Sequence, residues 1–111
     1  MKGTNLGEFE ELVLLTIAAL TDGAYSVAIC DELEKHAERK VRLGVVHAVL
    51  NRLETKGYLS SQLGAPTSER GGRRKRFYEL TTAGKAALIK SKQIRDGLWR
   101  IIPAFVFKGM I

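Results

Sequence analysis

The chain has 111 residues, 45% of them hydrophobic, and 18 Lys and Arg against 12 Asp and Glu give it a formal net charge of +6. That length fits one domain with enough apolar residues for a core, although so short a chain often gains stability by dimerising. Its single cysteine, Cys30, excludes an intrachain disulfide and fits a reducing cytoplasm, no secretion signal is expected, and the longest near-continuous apolar run, Leu12 to Leu20, is too short to span a bilayer.

The charge is unevenly spread. Residues 1–38 carry a net −6, residues 39–76 a net +8 and residues 77–111 a net +4. One end of the fold is therefore expected to repel a polyanion and the middle to attract it.

Met1 to Leu6 reads as a loose start from which Lys2 could reach a phosphate. Glu8 to Leu20 reads as a first helix, with Glu8, Glu10 and Glu11 at its positive end, where the macrodipole favours acids. From Leu12 onward it is apolar nearly all round. Such a helix needs cover on more than one side, and the side bearing Leu12, Leu15 and Ala19 is expected to face a second subunit; burial within one subunit is the plainer alternative.

Thr21-Asp22-Gly23-Ala24 is a turn. Ser26 can cap a second helix running to about Glu38, with Ile29, Cys30, Leu33 and Ala37 inward and Asp31, Glu32, Glu34 and Lys35 outward. Cys30 reads as a buried thiol, since no His or second Cys stands at metal-ligand spacing. His36 reads as a surface histidine. A short link, Arg39-Lys40-Val41-Arg42, leads into the most informative stretch, Val41 to Gly57.

Within it Val46, Val49, Leu50 and Leu53 recur at helical spacing and make one face apolar. The opposite face carries Gly44, His47, Ala48, Asn51 and Thr55, with Arg52 at its edge. That face is slim, can donate hydrogen bonds and is expected to lack carboxylates. Lys56-Gly57 should stop the helix, a cation in the last turn followed by a residue that takes the left-handed conformation. A helix packed on one side and slim and polar on the other suits a DNA major groove; taken alone it equally fits an amphipathic helix with a solvated face. Helix, short link, reading helix is the helix-turn-helix layout.

After Gly57 the period changes to two. Tyr58 to Leu63 and Arg74 to Leu80 read as paired strands around a Gly, Pro and Ser-containing loop, Gly64 to Arg73. Tip and return carry Arg70, Arg73, Arg74, Lys75 and Arg76. Gly71-Gly72 leaves the tip thin enough to follow a sugar-phosphate backbone or enter a minor groove.

Thr81 is expected to cap a last helix, Thr82 to about Ile102. Ala87, Ser91, Ile94, Leu98 and Ile101 form a narrow seam suited to one partner helix, with Trp99 beside it. Pro103 should end the helix. The tail Ala104 to Ile111 is too apolar for free solvent exposure and should pack on the same or a partner subunit.

Three helices, a basic two-stranded hairpin and a long helix describe a mainly α protein with a small β-hairpin (α+β), a winged helix-turn-helix with a C-terminal dimerisation helix. The residues resemble the PadR family of bacterial transcriptional regulators. The resemblance rests on Leu14 to Leu20 leading into Tyr25-Ser26-Val27; on Gly44-Val45-Val46-His47 with Leu50-Asn51-Arg52-Leu53-Glu54 and Lys56-Gly57; on Gly71 to Tyr78; and on Leu80-Thr81-Thr82-Ala83-Gly84. It implies a cytoplasmic dimeric repressor with its third helix in the major groove, its wing on the backbone or minor groove and its last helix dimerising. Residues 1–81 would then be the DNA-binding domain and 82–111 the dimerisation helix and apolar tail. Arg42 stands where the family usually has a small hydroxyl residue and His47 where it has a tyrosine, so the operator sequence does not carry over. Some relatives bind flat aromatic molecules at a tryptophan in the dimer centre. Trp99 roughly matches that location, which leaves packing and a small aromatic effector both open for it.

The expected partner is thus double-stranded DNA, bound by a homodimer. The DNA contacts would be Arg42, Gly44, His47, Ala48, Asn51, Arg52, Arg70, Arg73, Arg74, Lys75 and Arg76. The alternative is a winged-helix module that binds protein or RNA, against which the reading helix lacks aromatic anchors. An enzyme is not expected: two histidines on different helices and one inward cysteine assemble no nucleophile, base and orienting group. Nor is a cofactor or metal expected, for want of a phosphate-binding Gly-rich loop or a ligand cluster.

Overall fold

The computed structural model describes residues 6–65 and 74–110. Lys2 and the hairpin tip with Arg70, Gly71, Gly72 and Arg73 lie outside the described residues. Four helices and one antiparallel hairpin follow in the expected order: α1 (Glu8–Leu20), α2 (Ser26–Ala37), α3 (Leu43–Thr55), β1 (Leu59–Leu63), β2 (Arg76–Leu80) and α4 (Thr82–Arg100). Short 3₁₀ turns occupy Thr21–Gly23 and Ala104–Phe107.

Helices α1, α2 and α3 enclose the core. Val13, Leu14 and Ile17 meet Ile29 and Leu33 of α2 and Val46, Val49, Leu50 and Leu53 of α3, and Leu59 and Tyr78 close it from the hairpin. These are the inward positions of each helical repeat, so burial follows periodicity. The hairpin pairs Leu59 with Leu80, Ser61 with Tyr78 and Leu63 with Arg76. It is tied back to the helices by Tyr78 N–H donating to Ala24 C=O at 2.9 Å.

That tie moves the start of α2. The chain leaves Ala24 extended, and Tyr25 is the capping residue, its ring edge-on to Phe77 at 5.8 Å. Ser26, expected as the cap, is the first helical residue and no side chain caps this helix. The end of α3 follows expectation. Gly57 has φ +86°, its N–H donates to Glu54 C=O at 3.0 Å, and Tyr58 N–H donates to Leu53 C=O at 3.0 Å, a Schellman arrangement that closes the helix. Thr81 caps α4 as expected, its Oγ1 accepting from Gly84 N–H at 3.0 Å.

Two acids of the first turn do more than meet a dipole. Glu10 and Glu11 are buried, and each clamps a different helix to α1. Glu10 accepts from Gly7 N–H at 2.9 Å, Arg52 Nε at 3.0 Å and Lys56 Nζ at 2.9 Å. Glu11 accepts from Ser91 Oγ at 3.0 Å and Arg95 Nη2 at 2.6 Å. Burial works to raise the Glu10 pKa, but the bonds from Lys56, Gly7 and Arg52 outweigh it and hold the group below its ordinary value.

The seam expected on α4 therefore divides. Ser91, expected to meet a partner helix, is used by Glu11 of its own chain, and Ala87 beside it is half-buried. Ile94, Leu98 and Ile101 are exposed at 54%, 59% and 74%. On α1, Leu15 and Ala19 are exposed and Leu12 half-buried. The tail turns back after Pro103, and Phe107 stacks on Trp99 with centroids 5.6 Å apart. Cys30 is half-buried rather than enclosed, and burial pushes its thiol pKa up. No helix among the described residues is long and apolar enough to cross a membrane.

Candidate nucleic-acid interface

The face of α3 that leaves the core is open to solvent. Arg42, Gly44, His47, Ala48 and Asn51 are exposed, while Val46, Val49, Leu50 and Leu53 are buried behind them. Nothing lies within 4 Å of the position a Cβ would take at Gly44, so the leading end of the ridge is unobstructed. Arg42 precedes the first helical turn with an extended backbone and provides no side-chain cap.

Between this ridge and the hairpin runs a groove of about 690 Å³. His47 and Asn51 line it from α3, Arg74, Lys75 and Arg76 from the hairpin, and Tyr25, Ser26 and Val27 from the start of α2. Residues separated by more than twenty positions thus share one concave, cationic surface. Its walls are held by contacts that leave charge available. Arg74 Nε donates to Gly64 C=O at 2.8 Å across the base of the hairpin. Lys75 Nζ sits 4.2 Å from the centre of the Tyr25 ring, a cation–π contact that steadies the lysine while preserving its charge. The Phe77 ring packs close over Gly64, where a Cβ would lie 2.7 Å from it and force the ring to shift.

Arg52 occupies a different place. It is exposed, but its Nε is given to Glu10 beside Lys56, so the edge of the ridge is part of the clamp between α1 and α3. Ala48 lies on the exposed face but does not line the groove.

Sequence reasoning missed Glu54. The outer face of α3 was expected to lack carboxylates, yet Glu54 lines the same groove as His47 and Asn51, at i+7 and i+3 from them. The helical period that singled out the other two carries this signal as well. Glu54 Oε2 accepts from Ser61 Oγ at 2.7 Å, and Arg76 Nη1 donates to that same hydroxyl at 3.1 Å. Tyr78 stands close by: burial raises its phenol pKa, the negative Glu54 adds to the rise and Arg76 opposes it.

Chemically the site offers donors, a ridge as wide as one helix and clustered positive charge. Among the described residues no group of His, Cys, Asp and Glu could hold a metal ion.

Residues 14–90 match the model of the transcriptional regulator PadR-like family. A search of the curated proteins finds no match. Among solved structures, the chain is similar to a PadR family transcription regulator from Clostridium difficile, with 22% identity, 88% of this chain and 98% of that one covered, and a TM-score of 0.69. It is also similar to a PadR-like transcriptional regulator from Bacillus cereus, with 21% identity, 91% and 92% coverage and a TM-score of 0.71. A PadR-like transcription factor from Bacteroides fragilis shares 25% identity over 85% of this chain and 89% of its own, with a TM-score of 0.62.

Proposed function

The chain belongs to the PadR-like family of transcriptional regulators, and on that premise we propose that it binds a pseudo-palindromic site in double-stranded DNA as a homodimer. The observation that carries this reading is the groove that unites His47 and Asn51 with Arg74, Lys75 and Arg76. A helical ridge there is slim enough for the major groove. The adjacent cations lie where sugar-phosphate would pass, and contacts of that kind fix register and affinity.

Roles follow from side-chain chemistry. Asn51 can pair bidentately with adenine and His47 can donate or accept one bond at a base edge. Arg42, Arg74, Lys75 and Arg76 bind phosphate, joined by Arg70 and Arg73 of the hairpin tip. Gly44 and Ala48 keep the ridge thin. Arg52 serves the fold through Glu10, and Trp99 serves packing through Phe107.

Residues 1–81 act as the DNA-binding unit and 82–111 as the dimerisation unit. The radius of gyration, 16.6 Å, exceeds the roughly 13 Å of a compact chain of this length, and the far end of α4 leaves Ile94, Leu98 and Ile101 exposed. The reading requires a second copy to pair there, with Leu12, Leu15 and Ala19 facing it, so that two α3 ridges share one side about 34 Å apart, one turn of DNA. A dimer seated over an operator excludes other proteins from it, so we read the protein as a repressor working in the cytoplasm.

Selection of sites from a random duplex pool tests the reading. The expected product is a twofold-symmetric site with half-sites about one helical turn apart. Replacing Arg74 and Arg76 together by Ala should lower the salt slope by about 2. A purified protein that ignores duplex DNA at low ionic strength overturns the proposal.

A further inference from the structure

Glu54 is the one carboxylate among the described residues of the groove, and it faces Arg74, Lys75 and Arg76. Towards a polyanion it is a cost, since like charge in a cleft weakens association. It is nevertheless built into the site. Ser61 has a single hydroxyl proton and gives it to Glu54, while the oxygen of that hydroxyl receives Arg76. The order cannot be reversed, because a guanidinium donates and never accepts. Two bonds thus run from α3 through β1 to β2, at the register where Ser61 opposes Tyr78. The exposed side of the hairpin is tied to the ridge by this relay.

Resting on the DNA-binding reading above, we propose that Glu54 is a positioning residue for sequence discrimination. It holds Ser61, and through it Arg76, at one separation from α3. His47 and Asn51 then meet base edges only when the hairpin cations meet phosphate, so a mismatched duplex cannot satisfy both sets of contacts. The negative charge also weakens binding to every duplex alike, which lowers affinity without changing the ratio between a fitted and an unfitted site.

The test compares the full-length wild type with Glu54→Ala, Glu54→Gln and Ser61→Ala. Each is titrated with the duplex selected by the wild type and with random duplex, across a salt series. Both Glu54 variants should bind random duplex about threefold more tightly, from loss of one like charge. Glu54→Ala and Ser61→Ala should lose about tenfold in the selected-over-random ratio, the equivalent of one good hydrogen bond. Glu54→Gln should keep that ratio within about twofold, because its amide oxygen still accepts from Ser61. An unchanged ratio in Glu54→Ala overturns the inference. So does a loss confined to one base position, which would mark Glu54 as a direct base contact instead. A wild type that binds no duplex fails before any variant is compared, and that outcome removes the DNA-binding premise itself.

Discussion

Two stretches of α4 hold similar apolar residues and meet opposite fates. In the near half, Gly84 is buried, Leu88 packs on the core and Ser91 is bonded to Glu11, to which Arg95 also reaches back from further along the helix. In the far half, Ile94, Leu98, Trp99 and Ile101 all stand more than half exposed. The same helix is therefore a beam, seated at one end and projecting at the other. Apolar side chains of this number left in water are unusual for a chain that works alone, and on the dimer reading this is the surface a second copy would cover. Changes in the near half should act on folding, and changes in the far half on association.

Gly84 gives the largest expected effect. A Cβ there would lie 2.2 Å from the Tyr58 carbonyl oxygen, and that carbonyl already accepts from Thr81 N–H at 3.1 Å. Neither backbone can yield without moving the turn after α3. Gly84→Ala should destabilise by about 3 kcal/mol, the scale of overpacking against rigid backbone, as read by thermal or urea unfolding. A variant as stable as the wild type would mean that the beam is not seated here.

Leu98→Glu probes the other end. It adds a charge to a site exposed in the single chain, so the protomer should still fold, and any change in the melt should follow protein concentration. On the dimer reading, dissociation should strengthen roughly 30-fold, about 2 kcal/mol for a buried apolar anchor. Light scattering over a dilution series gives the answer. An unchanged oligomeric state, or a wild type monomeric at high concentration, breaks the comparison.

How this division could be foreseen depends on distance along the chain. The helical period located the core face of α3 because Val46, Val49, Leu50 and Leu53 report on one another within two turns. Gly57 and Thr81 announced their caps for the same local reason. Ser91 was unreadable, since its partner Glu11 lies eighty positions away, and a seam position bonded inside its own chain looks the same in sequence as one facing a second copy. Glu10 and Glu11 fitted a helix dipole so well that nothing local pointed to burial. Ser26 looked like a cap until the Ala24–Tyr78 bond fixed where the chain turns. Glu54 was legible and overlooked, because its spacing from His47 and Asn51 is that of the ridge itself.

Glu10 sharpens the comparison from the core side, since from the position next to Glu11 it holds α3 rather than α4. Glu10→Gln should cost about 1.5 kcal/mol, as the negative charge facing Lys56 and Arg52 is lost while solvent screens the half-exposed Arg52. The pH dependence has a definite sign. The folded pKa lies below the ordinary 4.5, so the stabilisation is complete above 4.5 and fades as pH falls through the folded value. Urea midpoints followed downward from neutral pH should drop more steeply below 4.5 for the wild type than for Glu10→Gln. Parallel curves would show that the clamp holds no charge-dependent stability. Dimer dissociation at neutral pH should be unaffected, since neither Arg52 nor Lys56 belongs to α4.

The smallest effect belongs to the tail. Phe107 stacks on Trp99 at a 28° interplanar angle, while Phe105 and Met110 stay exposed at 75% and 81%. An aromatic pair of this kind contributes about 1 kcal/mol beyond its area, and here the contact holds a short turn rather than the core. Phe107→Ala should therefore free the tail without altering the cooperative melt. Trp99 is the chain's one tryptophan, so its fluorescence reads the change without ambiguity, with emission expected to shift to longer wavelength as one ring face opens to water. A melt lowered by as much as that of Glu10→Gln would place the tail within the cooperative core, and the far half of α4 could no longer be treated as a projecting end.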